Sequence, residues 1–353
     1  MGPALVSGME TGTRIAVIGA GLVGARHVEL VARHATLAAG VDPAPASELL
    51  AQRHGAPWRT DLADCLAKDA PDGVIIATPN HLHVAGAMRA VGAGVPALIE
   101  KPIAASGDDA ARLVEAAEAR GVPLLVGHHR RHNARIAAAR QVIGEGRLGQ
   151  VVAVQGQFWL YKPSDYFDAT WRTRKGAGPV FINLIHDIDL LRHLCGEVVE
   201  VQAKFSNKLR GFEVEDTAAL ILSFANGALG TISVSDTVAA PWSWEFAAGE
   251  NPAYPHVPGG AYRIGGTDAS LSVPDLTLWE HTELKSWWSP ITGAPVPVQD
   301  VDPLERQLAN FIAVIHGTAK PVVSGREGLR TLRLLEAVTR AAETGSPQSP
   351  RRD

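Results

Sequence analysis

Glu100 and Lys101 close a short apolar run, Leu98-Ile99, and are followed at once by Pro102. A carboxylate and an ammonium at the end of a buried strand are costly unless they pair or do chemistry. A lysine so placed can hold or pass a proton at a substrate oxygen. Pro102 forbids the strand from continuing as a central one. The pair is therefore expected at the carboxyl end of a strand, the edge where open α/β sheets bind ligands. Taken alone, the plainer reading is a surface ion pair that ends a strand, so the rest of the chain must decide.

His186 is the second candidate for proton chemistry. In Asn183-Leu184-Ile185-His186-Asp187-Ile188-Asp189 the apolar residues continue at helical spacing to Leu194 and stop at Gly196, which puts His186 near a helix start. The helix dipole there favours a neutral imidazole. Asn183 can orient a partner but cannot act as a base. The stretch from Gln157 to Trp171, with Arg172 next to it, is aromatic and basic. Its rings, Tyr161 and Trp171 among them, could stack on a sugar, whereas Lys162, Arg172 and Arg174 could hold a substrate carboxylate. His186, Asp189 and His193 share a helix side, as metal ligands can. Acids in a first turn also complement the dipole without any metal.

The elements needed to position these residues are legible. Arg14 to Ile18 is an apolar run without alternation, as a strand buried on both faces requires. Gly19-Ala20-Gly21-Leu22-Val23-Gly24 follows, and Val28 and Val31 continue at helical spacing. Strand, glycine loop and helix form the context of a dinucleotide fingerprint. Gly19 permits the tight turn, Gly21 lets the backbone approach a pyrophosphate, and Gly24 lets the helix pack closely. The free amides of the helix start, at Leu22 and Val23, suit phosphate. A second strand ends at Asp42, 18 residues past Gly24 and close to the offset of a carboxylate that binds the adenosine ribose. That carboxylate disfavours a 2′-phosphate, so NAD is expected rather than NADP. Gly73 to Ala77 is another buried strand, ending in Thr78-Pro79-Asn80, with Asn80 expected to cap a helix from His81 to Val91. Alternating strands and helices imply a parallel sheet, with residues 19–24, 78–80 and 100–102 all on one edge. His128, after the strand Val122 to Val126, could line the same edge; the rest of His128-His129-Arg130-Arg131-His132 reads as a solvated or interface turn.

Beyond residue 150 the pattern changes. Strand candidates are Val151–Leu160, Val198–Phe205, Asp216–Phe224, Ala228–Val234, Ser243–Ala247, Tyr262–Gly265, Ser270–Val273 and Thr277–Trp279. Few helices separate them, so this sheet should be mainly antiparallel. Asn226-Gly227 signals a type I′ hairpin. Two helices close the chain, one capped by Asp302 with Pro303 at its first position, the other by Ser324 and Glu327 as a capping box.

The 353 residues allow two domains. The expected division is a loose tail at 1–12, a dinucleotide-binding domain at 13–127, a substrate and oligomerisation domain at 128–344, and a flexible tail at 345–353. A net charge of -4 without a basic block makes nucleic acid an unexpected partner. No apolar run approaches membrane-spanning length, so no membrane association is expected. The first dozen residues show no basic region typical of a leader. Two distant cysteines, Cys65 and Cys195, suit buried thiols in a reducing cytoplasm, the expected location.

With the glycine loop 19–24, Ala77-Thr78-Pro79-Asn80 followed by His83, and Glu100-Lys101-Pro102 in that order, the chain resembles the glucose–fructose oxidoreductase / inositol dehydrogenase / MocA family of NAD(P)-dependent oxidoreductases. The resemblance covers nearly the whole chain. It implies a Rossmann domain followed by an α/β domain on a large open, mainly antiparallel sheet, through which members form dimers or tetramers. It implies a small-molecule substrate, no metal, and cofactor contacts from the glycine loop, Asp42, Thr78, Asn80, His83, Glu100, Lys101 and His128, with Trp171 and Arg172 closing over the nicotinamide. It implies that Lys101 touches nicotinamide ribose and substrate, and that His186 acts on the substrate hydroxyl or carbonyl. Many inositol-type members carry an aspartate four residues before that histidine. Here the position is Ile182, which leaves Lys101 and His186 alone or supported by Asn183.

The expected activity is hydride exchange with a secondary alcohol or ketone of a cyclic polyol, sugar or sugar acid. Tyr161, Lys162, Trp171 and Asn183 are then the candidate substrate contacts beside Lys101 and His186. A carboxylated ring cis-dihydrodiol is the alternative substrate. Two other functions are open on this fold, a non-catalytic NAD(P)-sensing regulator and a glycosidase that uses NAD transiently. The presence of both Lys101 and His186 favours an enzyme over the regulator, and the glycosidase would release a free sugar with no net NADH.

Overall fold

The computed structural model describes residues 12–351, so the expected loose tail lies outside it except for Gly12. Two compact units divide the described chain. The first holds residues up to His132 together with Asp302–Leu332; the second holds Asn133–Val301 and the residues from Arg333 onward.

The first unit is built on six parallel strands: β1 (Arg14–Ile18), β2 (Thr36–Val41), β3 (Trp58–Arg59), β4 (Gly73–Ile76), β5 (Ala97–Ile99) and β6 (Leu124–Val126). Their order is β3-β2-β1-β4-β5-β6, the doubly wound order whose switch point lies between β1 and β4. Ile15, Val17, Ile75 and Leu98 fill the centre because strands covered on both faces can be apolar throughout.

The domain boundary expected at 127/128 needs one correction. The helix Pro303–Ile315 belongs to the first unit, where Leu308, Phe311 and Ile312 join the core of Val28, Val31 and Leu98. Its periodicity showed an apolar face, which says nothing about the core that face covers. Asp302 caps it by accepting from the Leu304 amide, with Pro303 in the first turn. The segment His128–His132 is buried rather than solvated except at the half-buried His129; Arg130, Arg131 and His132 are all under a tenth exposed, and Arg131 pairs with Glu327 at 3.0 Å.

The second unit carries eight strands: β7 (Val151–Trp159), β8 (Val198–Ser206), β9 (Thr217–Phe224), β10 (Leu229–Ser235), β11 (Gly260–Gly266), β12 (Ala269–Pro274), β13 (Thr277–His281) and β14 (Ile291–Pro295). They lie in the order β14-β13-β12-β11-β7-β10-β9-β8. Every pairing is antiparallel except that of β7 with β10. Ala218, Leu220, Leu222 and Phe224 point inward on β9 and pack with Leu191, Leu194, Leu335 and Val338. On the opposite face Val152, Ile221 and Leu229 are exposed.

Other expectations change in detail. Ser243–Ala247 is not a strand; Trp244–Ala247 forms a helical turn, and Trp244 is buried against Tyr262. β14 escapes sequence reading because Ile-Thr-Gly-Ala-Pro is exposed along its whole length and carries no alternation. The β9–β10 hairpin forms, but Gly227 donates to Phe224 O and Phe224 donates to Ala228 O. Only Gly227 takes positive φ, at 88°, so this is a three-residue loop with glycine in the left-handed position rather than type I′. Asn80 starts a 3-10 turn, Asn80–Leu82, and the α-helix begins at His83 without a side-chain cap. The tail from Gly345 is partly tied down: Gln348 exchanges both backbone hydrogen bonds with Val201 on β8. An edge strand offers such unpaired groups.

Candidate functional site

The loops at the carboxyl ends of β1, β2, β4 and β5 form one edge of the first unit. Gly19 takes φ of 93°, and a Cβ there would lie 2.6 Å from Ala77 O. A Cβ on Gly24 would lie 1.9 Å from Gly19 O, so no larger residue fits while the loop keeps its shape. Gly21 caps the helix Leu22–His34 with no side-chain acceptor, and its Cβ position meets nothing within 4 Å. The helix start is therefore left as bare amides, the arrangement that accepts phosphate. Leu22 is 93% exposed there.

Asp42 stands at the end of β2, where its Oδ2 accepts from Ala20 N and its Oδ1 from Ala44 N, both at 2.8 Å. The carboxylate thus organises the glycine loop and keeps lone pairs for further donors. Thr78 follows β4; its Oγ1 is buried with no hydrogen-bond partner. A buried hydroxyl is ordinarily satisfied, so this orphan fits a bound group. Asn80 is exposed on the same edge. His83 lies elsewhere in role: its ring is 1% exposed, with Nδ1 at 2.8 Å from Pro102 O and Nε2 at 2.8 Å from Thr78 O. It ties the β4 loop to the β5 loop rather than facing a ligand.

Glu100 and Lys101 follow β5, and the Lys101–Pro102 peptide is cis. Glu100 is held by His27, whose Nε2 lies 2.8 Å from Oε1. Burial pushes the Glu100 carboxyl up, but the hydrogen bond and charge of His27, with His129 and Lys101, outweigh it and hold the group below its ordinary value. Gly127 makes the room; a Cβ there would lie 2.9 Å from Glu100 Oε1. Sequence reading missed His27, which lies 73 residues away on the first helix. His128 is 1% exposed after β6.

The second unit groups the other candidates. Asn183 directly precedes the helix Leu184–Cys195, and His186, 7% exposed, lies in its first turn. Lys162 Nζ donates to Asn183 Oδ1 at 2.9 Å and lies 3.7 Å from Asp236. Burial pulls the Lys162 ammonium below its ordinary range, against the opposing pull of Asp236 and Glu215. Burial also pushes Glu215 and Asp236 up. Glu215 Oε1 accepts from Val180 N at 3.0 Å and so holds the strap that leads to Asn183. Arg210 donates to Asp236 Oδ1 and to the Lys162 carbonyl, both at 2.8 Å. None of Arg210, Glu215 and Asp236 was singled out from sequence; they converge from separate strands and loops with no spacing signal. Asp187 accepts from the buried Tyr262 hydroxyl. Arg172 donates to Tyr166 O and lies over the Tyr166 ring at 4.2 Å. Trp171 and Tyr161 are more than half exposed. No group of three or more His, Cys, Asp or Glu among the described residues is arranged to hold a metal.

Residues 13–128 match the family model described as "Oxidoreductase family, NAD-binding Rossmann fold", and residues 136–272 match the GFO/IDH/MocA C-terminal domain. The chain belongs to the GFO/IDH/MocA family. It is an oxidoreductase whose first unit is an NAD-binding Rossmann domain. Among its relatives, inositol 2-dehydrogenase of Rhizobium meliloti is 28% identical over 349 residues, covering 93% of this chain and 96% of the other. The 1,5-anhydro-D-fructose reductase of Ensifer adhaerens is 27% identical over 291 residues, 81% of this chain and 82% of its own. The WlbA dehydrogenase from Bordetella pertussis, solved with NADH and UDP-GlcNAcA, superposes with a TM-score of 0.77 at 28% identity, covering 97% of this chain and 100% of the other. Among the described residues of this family member, no helix is long and apolar enough to cross a membrane.

Proposed function

We propose that the chain is an NAD-dependent dehydrogenase acting on a secondary alcohol, or reducing the matching ketone, of a cyclic polyol, sugar or sugar acid. The observation that carries this reading is the edge of the first unit, where the glycine loop, Asp42, the orphan Thr78 hydroxyl and Lys101 all follow parallel strands. The inositol, anhydrofructose and UDP-GlcNAcA named for the relatives support the substrate class.

NAD, when bound, supplies hydride exchange at nicotinamide C4. The chain's own residues supply position and proton handling. The amides of Leu22 and Val23 take the pyrophosphate, and the Asp42 carboxylate takes the adenosine ribose hydroxyls and rejects a 2′-phosphate. Lys101 meets the reacting oxygen and holds its proton, with the buried Glu100 fixing the loop from which it projects. His186 is the second proton-handling group. We further propose that copies pair through the open sheet face around Val152, Ile221 and Leu229, which are 49%, 48% and 61% exposed.

The test is Lys101→Ala on a compound that the wild type oxidises. The expected outcome is a fall in kcat of about a hundredfold or more, in the range of general acid–base catalysis, larger than the weakening of NAD binding from the lost ribose contact. Survival of kcat with only a raised KM would remove Lys101 from the proton step.

A further inference from the structure

Ile182 leaves the second unit without the carboxylate expected four residues before His186, and the structure puts something different beside that gap. Lys162 is buried at 6% exposure, and its ammonium makes one hydrogen bond, to Asn183 Oδ1 at 2.9 Å. Asp236 lies 3.7 Å from the same nitrogen, too far for a hydrogen bond. The Tyr166 ring lies 4.9 Å from it. An ammonium has donors only, so the amide atom facing Lys162 must be the oxygen. The orientation of Asn183 is therefore set by chemistry and not by choice of rotamer. Its Nδ2 points the other way, and no other described group takes it. The Asn183 backbone is held as well: its N–H donates to Pro179 O and its carbonyl accepts from His186 N, both at 3.1 Å. Glu215 holds that strap from below through Val180 N.

We propose that Lys162 is a positioning residue that locks the Asn183 amide, so that Nδ2 is presented as a hydrogen-bond donor to a substrate oxygen next to the one His186 serves. This rests on the dehydrogenase reading and narrows its substrate. The neighbouring group must accept a hydrogen bond, as a ring hydroxyl lone pair, a carbonyl or a carboxylate does. The lock does not itself supply positive charge to the substrate, because the ammonium is buried against Asn183, with Asp236 3.7 Å away. Asn183 thus does not stand in for the absent carboxylate; it performs the opposite role, donor instead of acceptor.

The experiment has two parts on the full chain with NAD bound. In kinetics on a compound oxidised by the wild type, Lys162→Met and Asn183→Leu should each lower kcat/KM about ten- to a hundredfold, the loss expected for one oriented polar contact. The double variant should lose little more than either alone. Asn183→Asp should fall similarly, since its carboxylate pairs with Lys162 and cannot donate. Equal or higher activity in Asn183→Asp, or additive losses in the double variant, overturns the proposal. The second part needs no turnover. The side-chain amide pair of Asn183, identified in NMR by its loss in Asn183→Leu, should shift in Lys162→Met and exchange with water faster. An unchanged pair overturns the lock. A wild type that oxidises nothing counts against the dehydrogenase reading, while the amide measurement still decides the Lys162–Asn183 lock.

Discussion

Burying a carboxylate costs free energy, and at Glu100 the cost is offset chiefly by a histidine 73 residues away, with His129 and Lys101 adding to it. The Glu100 carboxyl is held below its ordinary 4.5. A depressed carboxyl contributes stability that is whole above the ordinary value and lost as pH falls through the lower folded value. His27→Gln removes the strongest of the influences that hold the carboxyl down, leaving His129 and Lys101 against burial, so the carboxyl rises. The expected outcome is a loss of about 1–3 kcal/mol near neutrality and an acid unfolding midpoint moved to higher pH, both read from urea unfolding across the acid range. An unmoved acid midpoint would contradict the role given to His27. At this scale the sequence was legible where spacing is local. The glycines of residues 19–24 and the Glu100-Lys101-Pro102 triplet could be read because each works through its immediate neighbours. His27, Glu215, Asp236 and Arg210 could not, because only the folded chain brings them to Glu100 and Lys162. His83 shows a third case: its place after Thr78 was legible, whereas its bonds to two backbone carbonyls depend on where the β5 loop lies.

At the scale of elements, apolar runs and alternation located most strands, since buried faces leave a period in the sequence. β14 left none because no face of it is buried. Ser243–Ala247 misled because Trp244 and Phe246 look like strand residues whether they line a sheet or cap its end. The hairpin at Asn226-Gly227 was legible as a hairpin, while its turn type depended on Ala225 joining the loop. The sheet of the second unit has one covered face and one with exposed Val152, Ile221 and Leu229. The pairing of copies proposed above uses this exposed apolar face. By sedimentation the wild type should run as a dimer or larger, and Ile221→Asp should shift it toward monomer while kcat per chain and NAD affinity change little. A monomeric wild type would contradict pairing through this face.

For the whole molecule, the alternation of strands and helices followed by a run of strands was enough to read an α/β chain with a parallel sheet and a second, mainly antiparallel one. The strand order of the second sheet, and the return of the helix Pro303–Ile315 to the first core, were beyond it. Both depend on long-range packing that periodicity does not encode. The buried Cys65 and Cys195 thiols, each pushed up to about 12 by burial, take no part in the chemistry proposed. In the dehydrogenase proposed, hydride moves between NAD and a polyhydroxylated ring. The most direct measurement is NADH absorbance with a panel of inositols, aldoses, sugar acids and ring cis-diol acids, run in parallel with NAD and NADP. At least one compound should yield reduced cofactor, with NAD preferred because of Asp42. Tight NAD binding without turnover of any compound would contradict it.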